Sequence, residues 1–375
     1  MKHKKIVFLT GTRADFGKIK ALIQAIENHS NFEPHIFVTG MHLLHEYGYT
    51  VIEVERSGFN NIFKYNNHTD ETTMDLTLAK TITGFSEYVK TIKPDLIVVH
   101  GDRVEALAGA IVGSLNNILV AHIEGGEISG TIDELIRHSV SKLSHIHYTS
   151  NDKAKKRLLQ MGELENSIFT IGSPDVDIMF SSNLPDLSTV KSYYGIEYNQ
   201  YAIAMFHPVT TEIDDITRYS NSFVEALIDS NKNYVIIYPN NDLGSKQILK
   251  SYQKLKTLNR FKVFPSIRFE YFLTLLKNSK FIIGNSSAGV REAPYYGVST
   301  VNIGTRQQNR VMANSIVNCD SEKESILNAI KSCNELRTNV VEVFGNGNSA
   351  DLFLKSLEEI HIWSFNHQKQ FKDVI

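Results

Sequence analysis

The sequence predicts an α/β protein built from two Rossmann-like, doubly wound domains that face each other across a cleft. Three observations carry this. Short apolar runs alternate with amphipathic stretches along the whole chain. The alternation restarts after residue 198. The length, 375 residues, suits two domains better than one.

The elements follow in order. Strands are expected near Ile6–Thr10, His35–Val38, Leu96–His100, Ile118–His122, His145–Thr149 and Ile168–Ile171. Unbroken runs such as Leu96-Ile97-Val98-Val99 read as parallel strands buried on both faces. Between them, Lys18–Asn28, Leu76–Ile92, Glu105–Leu115 and Asp133–Leu143 repeat apolar residues at helical spacing. The polar, turn-rich stretch Ser181–Asp186 suits a boundary, giving domains at 1–180 and 181–375. Strands resume near Tyr201–Phe206, Tyr234–Tyr238, Phe261–Phe264, Phe281–Ile283 and Thr300–Ile303. A helix over Ser349–Ile360 closes the second domain, and the polar stretch Trp363–Ile375 is expected to fray.

Composition narrows the function classes. The chain is 42% hydrophobic and 21% charged, an ordinary globular profile. A net charge of −2 argues against a broad nucleic-acid surface. Two cysteines make neither a disulfide framework nor a zinc cluster. No segment approaches the ~20 apolar residues of a membrane helix, and the apolar run Ile6–Leu9 is too short for a signal peptide. A cytoplasmic protein without metal or cofactor is expected.

Ligands of open α/β sheets gather at the carboxyl ends of the strands. Two acid-bearing turns stand at such ends, HGDR at His100–Arg103 and HIEGGE at His122–Glu127, so Asp102, His122, Glu124 and Glu127 should converge on one crevice. Clustered carboxylates in a cleft are candidates for proton transfer. The bland alternatives are an Asp102–Arg103 ion pair and a glycine turn with solvated glutamates. The two glycines of HIEGGE would let backbone approach a ligand closely. Asp133 follows, in a segment where Thr131 and Glu134 fit a capping box and Arg137 could pair with Asp133. The first turn, Thr10–Lys18, offers helix-start N–H groups and Arg13 to an anion. It is not GxGxxG, so it does not support dinucleotide binding.

The second half carries different chemistry. His207-Pro208 ends a strand, and a histidine there can bind a phosphate or hydroxyl. In IIGNSSAGVREA a strand runs into Gly284-Asn285-Ser286-Ser287 and a helix, where serine hydroxyls and N–H groups can cradle phosphate. Helix capping by either serine is the bland reading. Glu292, about one turn on, is placed for a vicinal diol, and Arg306 follows another strand. There is no P-loop and no GxSxG nucleophile elbow.

Taken together, GTRADFGK, HGDR, HIEGGEISGTIDELIRH, FHPVTTE, NSSAGVREA, NIGTRQ and FGNGN closely resemble the hydrolysing UDP-N-acetylglucosamine 2-epimerases of sialic-acid biosynthesis, of the bacterial NeuC type. The resemblance implies a glycosyltransferase-B-like fold and conversion of UDP-N-acetylglucosamine to N-acetylmannosamine and UDP. The implied route is elimination to 2-acetamidoglucal, then addition of water. By motif match it assigns acid/base work to Asp102, Glu124 and Asp133, with His207 beside them. It assigns substrate contacts to Arg13, Lys18, His42, Arg103, His122, Ser286, Ser287, Glu292 and Arg306. It also implies homodimers or homotetramers, and it extends to related enzymes that take UDP-N,N'-diacetylbacillosamine. An acceptor-dependent glycosyltransferase of the same fold and a non-catalytic nucleotide-sugar binder are the competing readings. Three carboxylates argue against the first, which needs one base.

Overall fold

The computed structural model describes residues 3–68, 73–308, 310, 313–333 and 343–373. The chain forms two compact units. The first comprises the residues up to Glu127, Asp133–Ser181 and the segment from Val343, and the second comprises Ile128–Ile132 and the segment from Ser182.

The first unit holds seven parallel strands: β1 (Lys4–Thr10), β2 (Phe32–Val38), β3 (Ile62–Lys64), β4 (Leu96–His100), β5 (Leu119–Ile123), β6 (Ile146–Thr149) and β7 (Ile168–Thr170). Their spatial order is β3-β2-β1-β4-β5-β6-β7. Winding therefore runs one way from β1 and the other way from β4. The reversal, between β1 and β4, opens a crevice at the strand ends. Burial explains the run pattern: Ile6–Leu9 and Leu96–Val99 are buried throughout, because helices cover both faces of a parallel sheet.

The second unit holds six parallel strands: β8 (Ala202–Met205), β9 (Tyr234–Ile237), β10 (Phe261–Phe264), β11 (Phe281–Gly284), β12 (Ser299–Ile303) and β13 (Ile316–Cys319). Their order is β10-β9-β8-β11-β12-β13, with the reversal between β8 and β11. At that reversal β11 passes so close to β8 that a Cβ on Gly284, whose φ is +133°, would lie 1.9 Å from the Met205 carbonyl oxygen. Only glycine fits there.

Every expected strand is present. Two more, β3 and β13, escaped the sequence reading. Both sit at sheet edges and stay partly exposed, so neither carries a continuous apolar run.

The end of the chain departs further from expectation. The helix Ser349–Glu358 belongs to the first unit, not to the second. Its Phe353 packs edge-on against Tyr148 and Phe8, with ring centroids 5.0 and 6.3 Å apart, and Tyr148 shares a 2.7 Å hydrogen bond with Ser356. The polar stretch after it is tied down as far as Lys369. Trp363 donates to the Leu357 carbonyl at 2.9 Å. Lys369 donates to the carbonyls of Ser144 (2.6 Å) and Lys142 (3.0 Å), at the end of the helix Ile132–Leu143, and pairs with Glu163 at 2.6 Å. A lysine on the last carbonyls of a helix, with His367 on the Asn117 carbonyl at 2.6 Å, anchors a segment whose composition looks unstructured.

Candidate active site

At the reversal of the first sheet, the turn after β1 meets the turn after β4. Thr12 caps the helix Arg13–Glu27 by accepting the Asp15 N–H at 3.1 Å, and the Asp15 carboxylate accepts the Gly11 N–H at 3.1 Å. That cap aims Asp15 at His100, the last residue of β4. Asp15 Oδ1 lies 2.9 Å from His100 Nδ1, and Glu124 Oε2 lies 3.3 Å from His100 Nε2. Neither contact has hydrogen-bond alignment, since Asp15 Oδ1 and His100 Nε2 both lack a bonded partner. They are charge contacts. Burial opposes protonation of this imidazole, but the Glu124 and Asp15 carboxylates outweigh it and push its pKa up to about 9.

Glu124 is held from further sides. Lys18 Nζ stands 3.8 Å from Glu124 and 3.1 Å from Asp175, and the Ser173 hydroxyl donates to Glu124. Its backbone is left-handed, with φ of +65°, a conformation that costs a non-glycine residue ~1–3 kcal/mol. The Glu124 N–H bond to the Tyr148 carbonyl at 2.8 Å helps to hold it there. Three carboxylates (Asp15, Glu124, Asp175) thus face two cations (Lys18, His100), for a formal charge of −1.

Asp102 sits one residue past a stapled glycine. The Gly101 N–H bonds the Ile123 carbonyl at 3.0 Å, and His122 Nε2 donates to the Gly101 carbonyl at 2.8 Å. The Asp102 carboxylate, 26% exposed, accepts from the nearly buried Arg137. Asp102 thus pairs with Arg137 rather than with its neighbour Arg103. Arg103 instead lies 3.3 Å from Glu105. Asp133 stands in the first turn of the same helix as Arg137.

Two histidines of the expected set are packed into the protein. His122 is fully buried, donates through Nε2 and receives the Ser141 hydroxyl at Nδ1 (3.0 Å), so it is neutral and positions the HGDR turn. Burial drives its pKa down to about 3. His42 is fully buried between Thr10 (3.1 Å) and Thr50 (2.7 Å), with its pKa down to about 4 for the same reason. Arg13 pairs with Glu53. The glycines of HIEGGE serve the protein's own packing. A Cβ on Gly126 would meet the Ala154 carbonyl oxygen at 2.3 Å, and one on Gly125 would meet His122 and Ser141 at 2.9 Å. Glu127 is buried and accepts from Ser150 and Asn151, a supporting place.

At the reversal of the second sheet, Asn285 ties three loops together. Its side chain accepts the His207 N–H at 2.6 Å and donates to the His207 carbonyl at 2.8 Å. Its carbonyl receives Arg306 (3.2 Å) and Gln307 (2.8 Å). His207 Nδ1 accepts the Asn240 N–H at 3.0 Å, so the neutral ring carries its proton on Nε2. Ser286 accepts the Ala288 N–H at 3.3 Å and caps a short 3-10 turn, Ser287–Gly289. The helix expected here is two such turns, the second being Ala293–Tyr296. Glu292, just before the second, is buried.

The first reversal gathers Lys18, Asp102, Glu124 and His122, half of the residues expected in that unit, and the second gathers His207, Ser286, Ser287 and Arg306. Sequence reasoning passed over His100, Asp15, Asp175 and Asn285. His100 and Asp15 lay inside quoted motifs, and Asp175 follows a strand as Asp102 does. That shared position was the available signal.

Comparison with known proteins agrees with this geometry. Residues 24–358 match the family described as UDP-N-acetylglucosamine 2-epimerase. A UDP-N-acetylglucosamine 2-epimerase of Neisseria meningitidis serogroup B is 48% identical over 99% of both chains. A hydrolysing UDP-N,N'-diacetylbacillosamine 2-epimerase of Legionella pneumophila is 31% identical over 96% of this chain and 97% of its own. The crystal structure of the Methanocaldococcus jannaschii UDP-GlcNAc 2-epimerase in complex with UDP-GlcNAc and UDP has a TM-score of 0.81 at 25% identity, covering 94% of this chain and 99% of that one. The chain belongs to the UDP-N-acetylglucosamine 2-epimerase family.

Proposed function

We propose that this chain is a hydrolysing UDP-N-acetylglucosamine 2-epimerase that releases N-acetylmannosamine and UDP in the cytoplasm for sialic-acid biosynthesis. The observation that carries the reading is the buried cluster around Glu124, within a family named for this epimerisation. A proton must leave C2 as the bond from C1 to the UDP oxygen breaks. UDP departs with the electron pair, and a C1=C2 double bond forms. Water then adds its oxygen to C1 while a proton returns to C2 on the opposite face.

Asp102, Glu124 and Asp133 are the groups we assign to these proton transfers. The pair with the buried Arg137 fixes the direction of the Asp102 carboxylate. In the second unit, the Nε2 proton of His207 is a donor for an oxyanion, and Arg306 and the Ser286–Ser287 turn supply further donors. We assign UDP to these groups, with Glu292 toward the ribose hydroxyls and Arg13 and Arg103 toward the sugar or diphosphate.

The name of the Legionella relative favours a second reading, UDP-N,N'-diacetylbacillosamine as substrate. One experiment separates the readings: NMR of the sugar formed from each nucleotide sugar in deuterated water. Free N-acetylmannosamine carrying deuterium at C2, with stoichiometric UDP and no acceptor sugar, is the expected result. A UDP-linked product, or turnover only with an acceptor, overturns the hydrolysing reading.

A further inference from the structure

We propose that His100 is a positioning residue held as an imidazolium between Asp15 and Glu124, and that its charge keeps the Glu124 carboxylate ionised to receive the C2 proton. The inference rests on the proposed function and assigns a role inside it. The geometry comes first. Both ring nitrogens face carboxylate oxygens, Nδ1 toward Asp15 at 2.9 Å and Nε2 toward Glu124 at 3.3 Å. An imidazolium offsets both buried carboxylates, whereas a neutral ring leaves their two negative charges uncompensated on either side of it. Only the doubly protonated ring suits both neighbours. The side chain is 9% exposed, so water screens these charges weakly.

Charged groups on three neighbouring elements stand in this cluster. Asp15 and Lys18 come from the helix Arg13–Glu27, Glu124 from the turn after β5, and Asp175 from the helix Pro174–Met179. His122, on β5, is neutral and adds no charge. A protonated His100 places a positive charge beside Asp15 and Glu124, in a group that also holds Asp175 and Lys18. Loss of that positive charge, 3.3 Å from Glu124 Oε2, favours the protonated form of the carboxyl group. A protonated Glu124 cannot accept the proton from C2.

The direct test is the protonation state of the ring in the whole protein. In histidine-labelled enzyme, with the signal assigned by its loss in His100→Gln, the 15N shifts of both ring nitrogens should be of the protonated type at pH 7.5. They should titrate with a midpoint near 9. A neutral ring at pH 7.5 overturns the proposal, whatever the activity.

The second test is kinetic. In His100→Gln the acidic limb of the kcat profile should move up by at least about one pH unit, the low end of what an adjacent counter-charge produces. KM for the nucleotide sugar should stay within about threefold, because the ring acts through Glu124. A limb that stays in place while kcat falls overturns the proposal and marks His100 as merely structural. If His100→Gln fails to fold, the signal is assigned with His100→Lys and the ring measurement on the wild type decides. If wild-type protein releases no UDP, the proposed function falls, and the ring measurement still tests the imidazolium.

Discussion

At the reversal of the first sheet, Asp15, Lys18, His100, Glu124 and Asp175 form one connected group of formal charges. At the reversal of the second, the same topological position is held by the neutral amide of Asn285 and a histidine whose Nδ1 is occupied by a backbone N–H. The architecture is shared and the chemistry is not. Parallel strands deliver side chains and backbone groups to one edge, and the turn sequences decide what they can do. The first edge is suited to moving protons. The second is suited to donating hydrogen bonds to an anion that arrives with its own charge.

The sharpest contrast is steric. Gly284→Ala forces a Cβ into the Met205 carbonyl and should cost more than about 4–5 kcal/mol, abolishing cooperative melting of the second unit. A calorimetric trace with two normal transitions would show that β8 and β11 can separate without harm. Next in size is Asp102→Asn, which should lower kcat by about 10²–10⁴-fold while UDP affinity stays within about threefold. Equal losses in both would erase the division of labour between the two edges.

Asn285→Ala reverses that pattern. It removes both hydrogen bonds to the His207 backbone, should weaken UDP binding about tenfold by calorimetry, and should cost about 1–3 kcal/mol of stability.

The fourth prediction concerns pH. His42 and His122 are neutral when folded, with pKa values near 4 and 3, whereas their unfolded values lie near 6.5. The unfolded chain therefore binds more protons below pH 6.5. Stability from these two groups is complete above that pH and falls as pH drops through 4 and 3, by about 1.4 kcal/mol per pH unit for each group. His100 has the opposite sign. Its raised pKa gives stability present below pH 6.5 and lost as pH rises through 9. Thermal melts from pH 4 to 10 should show the first unit weakening at both ends. A first transition indifferent to pH would contradict the neutral and charged states assigned here. The smallest effect is Lys369→Met, which removes the cation on the last carbonyls of the helix Ile132–Leu143. It should lower the first transition by about 2–4 °C.

Legibility in the sequence followed burial. Strands covered on both faces announce themselves as apolar runs, so β1, β4, β5, β8 and β11 were readable to within a residue or two. Edge strands β3 and β13 were not, because exposure removes the pattern. The site was readable where chemistry is local, as in HGDR and HIEGGE. Pairings set by the fold were not. Asp102 meets Arg137, 35 positions away, rather than its neighbour Arg103, because the turn after β4 faces the helix Ile132–Leu143. His100 was overlooked for a related reason. As the last residue of a strand it looked like part of the sheet, and only the cap that aims Asp15 gives it a partner.

The return of the chain end to the first unit sets an order of events during synthesis. Phe8 and Tyr148 are covered by Phe353, so the core of the first unit stays incomplete while the whole of the second unit is made. At ~5–20 residues per second that interval is on the order of ten seconds or more. The second unit, contiguous apart from Ile128–Ile132, can close its core while the earlier-made unit still waits for its last helix. A released chain from which residues 343–375 are deleted should therefore protect β8–β13 from protease and leave β1 and β6 open to it.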